Sequence, residues 1–589
     1  MQRLMPVRNQ RVNPTARWTL RVLCSALLLS SMASCDNSSS AGPAPPEPGP
    51  IGDGANLQLV GVQITQGAQD AAGSLPMIAG QPAVVNVLIA RSKESVAEVP
   101  VVLRLFRNGV LIRSDTASTG GILSRATSDA APSAQFLIPG SLIGTPLSWQ
   151  VEVDPARSNP DSTRTDNLLP GPTPAPISIV PIPSIALRLL PVILGNHDGA
   201  AGDVSSANID RYLQTVRRTL PVGAVEASVA PALTTMTNFG TPPTGGAPNF
   251  WQHVLQEIDV ARIVSGQPSA YWYGVVTAPT GYTTFTNGGY GYIPGSATDI
   301  GGGTRSAVGF GISPASNFDF VSKTLAHELG HQLGRAHAPS CGAASPLDAA
   351  FPDGQGTILQ TGHDVWSWAT GVTRGALSVS RATGDVMGYC SAVWASPYTW
   401  GAVLRWRQTS TGVVTQVRAE PAVIVAGAVS ATGDVTLRPA LDAIVVVPPA
   451  DASGDMSIEL QTAAGSVLAR QQVVSRRVEH GDGERHFVAI LPASNSASAT
   501  VIAATSRTTG RSVSLRASSG SMDVQIRSLA GGRTEVRAAP GRAVMLRDAQ
   551  TGDVLSIGWD GRVIVRHPGA MTVTVSDGIR SRSTSVAPR

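Results

Sequence analysis

The chain has 589 residues, which is too many for one hydrophobic core and indicates three to five domains. Charged residues make up 14% and aromatic residues 5%, beside 61 Gly and 43 Pro. This composition is typical of turn-rich β modules and excludes a helical bundle. The net charge of +4 rests on five arginines within residues 1–34, so the remainder carries about −1. The sequence therefore predicts no nucleic-acid partner.

Residues 1–34 predict an export signal, with an arginine-bearing start and an apolar run over Val22–Leu29. That run is far shorter than the roughly 20 residues that a bilayer requires of a helix. Met32-Ala33-Ser34-Cys35 resembles a bacterial lipobox, in which the cysteine is lipidated. We expect an exported lipoprotein of the cell envelope, held to the membrane through Cys35 with residues 35–54 as a flexible tether. Ordinary cleavage and full secretion is the alternative.

The segment 55–178 predicts a β-sandwich module. Val101–Phe106 and Val110–Ile112 flank Asn108-Gly109, a strong hairpin signal because both central residues of a type I′ turn need positive φ. His, Cys and carboxylate side chains do not cluster here in sequence, so a structural or binding role is the default expectation.

The segment 179–408 predicts a second domain, which follows a proline-rich joint. Apolar spacing and flanking turn residues predict its elements. They are strands over Ile185–Leu194 and Tyr271–Val276, and helices over Ala207–Thr219, Asn249–Ile263 and Phe320–Leu333.

The last of these helices carries the motif H-E-x-x-H-x-x-G-x-x-H at residues 327–337. His327 and His331 lie four residues apart, so both imidazoles can bind one ion. His337 would lie about 15 Å along the axis of an unbroken helix, and Gly334 is the residue that allows the chain to turn back. Three neutral histidines leave a tetrahedral position open for water, which is typical of a catalytic zinc site.

Glu328 follows the first ligand and is placed to reach a water bound to zinc. We expect it to act as the general base. The alternative is a degenerate enzyme that keeps one zinc ion and has lost turnover.

The motif resembles that of the metzincin zinc endopeptidases, whose second signature is a methionine turn below the metal. Gly384–Cys390 matches this turn, with Met387 as its methionine. The resemblance implies that Met387 forms a hydrophobic base under the histidines. It also implies a position near the metal for Tyr389, either in catalysis or as a packed core residue. The long chain with β-rich flanks is similar to secreted bacterial surface metalloproteases, including those that act on mucin-type glycoproteins.

Cys341 and Cys390 remain once Cys24 and Cys35 are assigned to the N-terminal segment. In an oxidising compartment we expect them to form a disulfide. Closing a loop of about 50 residues contributes about 4 kcal/mol on the chain-entropy model. Free thiols, or a cysteine ligand to the metal, are the alternatives.

Residues 409–516 and 517–589 predict two further β-rich modules, with a hairpin at Asp560-Gly561. The predicted fold class is therefore an α+β metzincin-like protease domain flanked by β-sandwich (Ig-like) modules.

These observations predict an exported zinc endopeptidase with a protein or glycoprotein substrate. The alternative function is a non-catalytic, zinc-stabilised surface adhesin. The sequence does not indicate an oligomeric state.

Overall fold

The computed structural model describes residues 56–70, 72–92, 98–119, 132–197, 199–267, 269–285, 287–293, 305–312, 317–410, 419–447 and 453–587. The predicted export signal, the tether and Cys35 lie outside these ranges. Among the described residues, no helix combines the length and the apolarity that crossing a bilayer requires.

The N-terminal region is a β-sandwich. One sheet has the order β1-β3-β6, and a second has the order β5-β4-β7-β8 with β9 paired to β7. The inner faces of both sheets contribute to one apolar core, where Val85 and Val87 of one sheet pack with Leu103 and Val151 of the other. The strands are β1 Leu57–Thr65, β2 Met77–Ile78, β3 Ala83–Arg91, β4 Pro100–Arg107, β5 Val110–Ser118, β6 Ala134–Ile138, β7 Ser148–Val153, β8 Leu168–Leu169, β9 Ala175–Pro176 and β10 Ile179–Val180.

The predicted hairpin at Asn108-Gly109 is confirmed. Arg107 pairs with Val110 across the turn. Both turn residues have positive φ, 51° for Asn108 and 77° for Gly109. The turn residues set the pairing next to the turn, and the register then shifts between Leu105 and Phe106.

The central region contains a largely parallel sheet and the helices. Its strands are β11 Ile185–Leu194, β12 Val225–Val229, β13 Leu233–Thr235, β14 Gly240–Thr241, β15 Thr244–Gly245, β16 Tyr271–Val276, β17 Thr284–Phe285, β18 Gly289–Ile293, β19 Ser306–Phe310, β20 Gly362–Asp364, β21 Leu377–Val379, β22 Gly384–Asp385 and β23 Val393–Trp394. Its helices are α1 Ile209–Tyr212, α2 Gln214–Thr219, α3 Pro248–Val264, α4 Phe318–Gln332, α5 Val365–Ala369 and α6 Pro397–Ser410. The helix predicted over Ala207–Thr219 is thus two short helices.

Helices cover both faces of this sheet. Strand β11 pairs in parallel with β12, β13 and β16, and β16 pairs in parallel with β19. Successive side chains of a strand point to opposite faces. Tyr271 and Tyr273 accordingly share a core with α4, whereas Trp272 and Val276 share one with α3. Burial on both faces explains the continuous apolar sequence of β16.

The C-terminal region consists of strands, several of which extend the central sheet. They are β24 Ala419–Val429, β25 Val435–Leu437, β26 Leu441–Val446, β27 Met456–Gln461, β28 Val467–Val473, β29 Arg476–Val478, β30 Arg485–Pro492, β31 Val501–Ser506, β32 Ser512–Arg516, β33 Gln525–Leu529, β34 Arg533–Arg537, β35 Ala543–Asp548, β36 Val554–Gly558, β37 Arg562–Val565, β38 Met571–Ser576 and β39 Ser581–Val586.

The predicted fold class, an α+β metzincin-like domain between separate β modules, is wrong. Strands make up 42% of the structure and helices 14%. One sheet runs through both regions in the order β25-β24-β30-β29-β18-β19-β16-β11-β13-β36-β35-β38-β39. The physical reason is that the edge strands of the central sheet, β18 and β13, pair their backbone groups with β29 and β36 of the C-terminal region.

The hairpin predicted at Asp560-Gly561 is also wrong. Strand β36 before the turn pairs with β35 and β13, while β37 after it pairs with β34 in a different sheet. The turn residues were recognised correctly, since Gly561 has a φ of 84°. Their local sequence does not specify whether the flanking strands pair with each other.

Candidate metal centre

Helix α4 places two histidines over the sheet. It begins after Asn317, whose side-chain oxygen accepts a hydrogen bond from the Phe320 amide at 2.9 Å, as an N-cap residue does. His327 and His331 are both buried on the same face, and their Nε2 atoms are 3.1 Å apart. The predicted pairing of these two imidazoles is what the structure shows.

The end of α4 returns the chain to bring in a third histidine. Gly334 has a φ of 84°. The Gly334 amide donates to the His331 carbonyl, and the Arg335 amide donates to the Gly330 carbonyl, both at 3.0 Å. These two bonds form a Schellman motif, with glycine at the left-handed position. A Cβ at Gly334 would lie 2.4 Å from the Trp406 ring. Glycine is therefore required both for the left-handed backbone and for the space beside Trp406.

A fourth group meets the three histidines. Glu479 Oε1 lies 3.3 Å from His327 Nε2, 3.2 Å from His331 Nε2 and 2.8 Å from His337 Nε2. The four ligand atoms all lie within 4.8 Å of one another, so the group could hold a metal ion. Zn–N and Zn–O bonds of about 2.0–2.1 Å correspond to a tetrahedron with edges of about 3.3 Å. The donor set and its spacing therefore fit a four-coordinate ion.

The second nitrogens of the rings support this arrangement. His327 Nδ1 lies 2.9 Å from the Val386 carbonyl, and His331 Nδ1 lies 2.6 Å from the Arg335 carbonyl. A carbonyl can only accept, so each Nδ1 carries the proton and each Nε2 presents its lone pair to the centre. His337 Nδ1 is buried and has no hydrogen-bond partner within the described ranges.

Glu479 was missed by the sequence analysis. It follows β29, which pairs with β18 through Val478 and Tyr292, and its amide donates to the Gly291 carbonyl at 3.0 Å. Glu479 is 142 residues from His337 in sequence. Neither its neighbours nor its spacing signals that it approaches the motif, because that depends on the pairing of two distant strands.

The charges at the centre are set by burial and by one another. Burial by itself would raise the pKa of Glu479. When the histidines are protonated, the charge of His331 and hydrogen bonds from the three histidines hold that pKa well below its usual range. Burial lowers the pKa of His331 to about 4. A neutral imidazole beside an ionised carboxylate is the protonation state in which both groups bind a metal.

Glu328 lies beside Glu479 and is only 2% exposed. Burial, followed by the charge of Glu479, raises the pKa of Glu328 well above its ordinary value. Its oxygens rest against the backbone of β18, because a Cβ at Gly289 would lie 2.5 Å from Oε1 and one at Gly291 would lie 3.0 Å from Oε2. These glycines make the room that the carboxyl occupies.

Tyr389 lies at the rim of the centre and is not a packed core residue. Its ring is 38% exposed. Its hydroxyl lies 3.2 Å from His337 Nε2 and 2.9 Å from His480 Nε2. His480 in turn lies 3.1 Å from Glu479 Oε1, and it is not part of the four-residue ligand group.

The floor of the centre is where the sequence predicts it. Met387 is 1% exposed and packs below α4, where a Cβ at Gly330 would lie 2.3 Å from its sulfur. The predicted disulfide between Cys341 and Cys390 is confirmed, with Cα atoms 5.1 Å apart. It joins the loop after His337 to the turn that contains Met387.

Comparison with known proteins adds no assignment. No family model matches the chain, and no curated protein matches it. Two solved structures of a Parabacteroides merdae β-glucuronidase match at 10% identity and a TM-score of 0.14. The matches cover 90% and 91% of this chain and 78% and 77% of those chains. A β-glucuronidase from glycoside hydrolase family 2 matches at 9% identity and a TM-score of 0.15, covering 90% of this chain and 63% of that chain. Such low TM-scores carry no inference about fold or activity.

The prediction of a zinc endopeptidase is wrong. Glu479 Oε1 occupies the fourth position of the ligand group, which was expected to hold water. The catalytic roles expected of Glu328 and Tyr389 stay predictions. The resemblance of the motif to the metzincins stays a prediction.

Proposed function

We propose that the protein is a zinc protein in which one ion fastens the C-terminal β region to the central sheet. The observation that carries the proposal is the closure of the ligand group by Glu479, which belongs to the C-terminal region. Structural zinc sites use four protein ligands, whereas catalytic sites keep one position open. Three imidazoles and one carboxylate suit zinc better than magnesium or calcium, which prefer oxygen ligands.

The ion would add a link to a joint that strand pairing and a shared apolar core already form. Strand β29 has three residues and meets β18 at two pairs, Tyr292 with Val478 and Ile293 with Arg477. A bond between an ion and Glu479 adds a link across 142 residues of sequence. Because the ligands are not assembled in the unfolded chain, the free energy of metal binding becomes folding free energy.

The proposal is tested by the metal content of the purified full chain. We expect one zinc per chain, measured by mass spectrometry of the released metal. His331→Ala and Glu479→Ala should each lower zinc affinity by more than about 100-fold, since even partners outside the ligand set change affinity by 10–100-fold. His253→Gln, a change at a largely buried histidine outside the ligand group, is the matched control and should keep its zinc. Full zinc in His331→Ala would contradict the proposal.

We further propose export of the chain with a lipid anchor at Cys35. The disulfide between Cys341 and Cys390 supports an oxidising compartment. Labelling with a lipid precursor should depend on Cys35, and Cys35→Ala should abolish it. Unchanged labelling and processing of Cys35→Ala would contradict the lipid anchor.

A further inference from the structure

Two side chains that are not ligands, Glu328 and Tyr389, lie beside the position of the fourth ligand. Glu328 Oε2 and Glu479 Oε2 are buried and have no hydrogen-bond partner within the described part of the chain. The Tyr389 hydroxyl lies 3.2 Å from His337 Nε2. A closed structural site needs neither Glu328 nor Tyr389. Buried polar groups of this kind are typical of a position where a ligand arrives and leaves.

The turn between β29 and β30, which supplies Glu479, has a strained backbone. His480 and Asp482 have φ values of 53° and 46°, in the left-handed region that favours glycine. Such conformations cost on the order of 1–3 kcal/mol each and persist only where the surrounding structure enforces them. Strand β29 before this turn pairs with both β18 and β30, and the Glu479 amide donates to the Gly291 carbonyl.

We propose that Glu479 is an exchangeable ligand, and that a carboxylate from outside the chain takes its place on the ion. This inference rests on the proposed zinc site and deepens it. The position fits a carboxylate. One oxygen of Glu479 lies among the histidine nitrogens, and the same carboxyl group lies beside Glu328. The exposed Tyr389 marks the side from which such a ligand enters. The chain then binds carboxylates only when the Glu479 side chain turns out of the centre.

The exchange must compete with an intramolecular ligand. A group tethered by a short segment has an effective concentration in the millimolar range or above. An external carboxylate therefore binds the intact chain more weakly than a chain from which the internal carboxylate has been removed. The ratio of the two affinities measures how firmly Glu479 is held.

Cobalt substitution makes the exchange visible. Co²⁺ is loaded into the full chain and its visible absorption is followed while acetate is added. In Glu479→Ala we expect acetate to restore the spectrum of the unmodified chain. In the unmodified chain, acetate should also displace Glu479, with a half-saturating concentration at least about 10-fold higher. Glu484→Ala removes another carboxyl of the same segment and should behave as the unmodified chain.

Three results would overturn the inference. They are a cobalt spectrum of the unmodified chain that acetate never changes, an equal response of both proteins, and a spectrum of cobalt-loaded Glu479→Ala that acetate does not change. In the first case Glu479 is a permanent ligand, in the second it is not a ligand, and in the third the histidines do not hold an ion with an exchangeable position. Failure of the unmodified chain to bind any metal would instead refute the proposed function.

Discussion

Gly334 decides where the third histidine lies. The helix that carries His327 and His331 ends one residue before Leu333, and only a left-handed residue at Gly334 lets His337 return to them. This part of the site could be predicted from the sequence, because the spacing of the motif and the geometry of a helix leave no other route.

Gly334→Ala should destabilise the fold and weaken zinc binding. The change combines a left-handed backbone with a Cβ placed 2.4 Å from the Trp406 ring. We expect a loss of about 2 kcal/mol or more in the free energy of unfolding, measured by denaturant titration. Gly266→Ala is the matched control, because Gly266 follows α3 with a φ of 71° and its Cβ would meet nothing within 4 Å. Equal effects of the two changes would show that the contact with Trp406 does not matter.

Glu257, on helix α3, is a second buried carboxyl and lies outside the ligand group. It is 2% exposed, and its Oε1 accepts a hydrogen bond from the Thr237 hydroxyl at 3.2 Å. Burial raises the pKa of Glu257 to about 8. The charge of Arg438 lowers this pKa, and the like charge of Asp560 raises it. The carboxyl is therefore neutral at pH 7.

This raised pKa makes stability fall with rising pH. The folded state keeps a proton on Glu257 that the unfolded chain releases above its ordinary value of 4.5, so the free energy of unfolding decreases between pH 4.5 and about 8 and then levels off. Glu257→Gln should remove that decrease. At pH 8 the change should raise the free energy of unfolding by a few kcal/mol, on the order of 1.4 kcal/mol for each unit of pKa difference between the folded and unfolded states. Thermal unfolding across this pH range measures it. The exposed Glu226→Gln is the control, and a matching pH profile in both variants would contradict the argument.

At the scale of elements, local sequence patterns predict where helices and strands lie but not which strands pair with each other. Helix α3 is observed over Pro248–Val264, close to its predicted range, because its apolar spacing is regular and proline suits the first helical turn. Strand β16 has its predicted bounds. The pairing of β29 with β18 could not be predicted, since backbone hydrogen bonds between strands carry little sequence information.

The disulfide couples two elements of the metal centre. Cys341 lies four residues after His337, and Cys390 lies three after Met387. Reduction should therefore loosen both, lowering zinc affinity without changing a ligand, and should lower the free energy of unfolding by about 4 kcal/mol on the chain-entropy model. Zinc titration with and without reductant measures the first effect. Two thiols that can be alkylated in the exported, unreduced protein would contradict the pairing.

At the scale of the whole molecule, the chain is joined through its sheet. The sequence suggested separate modules because proline-rich and polar stretches divide it into apolar segments. In the structure, one sheet continues from the central region into the C-terminal region through β18 and through β13. The same joint at β18 delivers Glu479, so the error in the fold class and the omission of the fourth ligand have one cause: pairing between strands that are distant in sequence.

The central claim is that one zinc ion is held by four residues of two regions. A crystal structure of the full chain with anomalous scattering measured at the zinc edge tests it most directly. We predict one anomalous peak at about 2.0–2.1 Å from the Nε2 atoms of His327, His331 and His337 and from Glu479 Oε1. The absence of a peak among these residues, or a peak with Glu479 turned away and water in its place, would contradict the account.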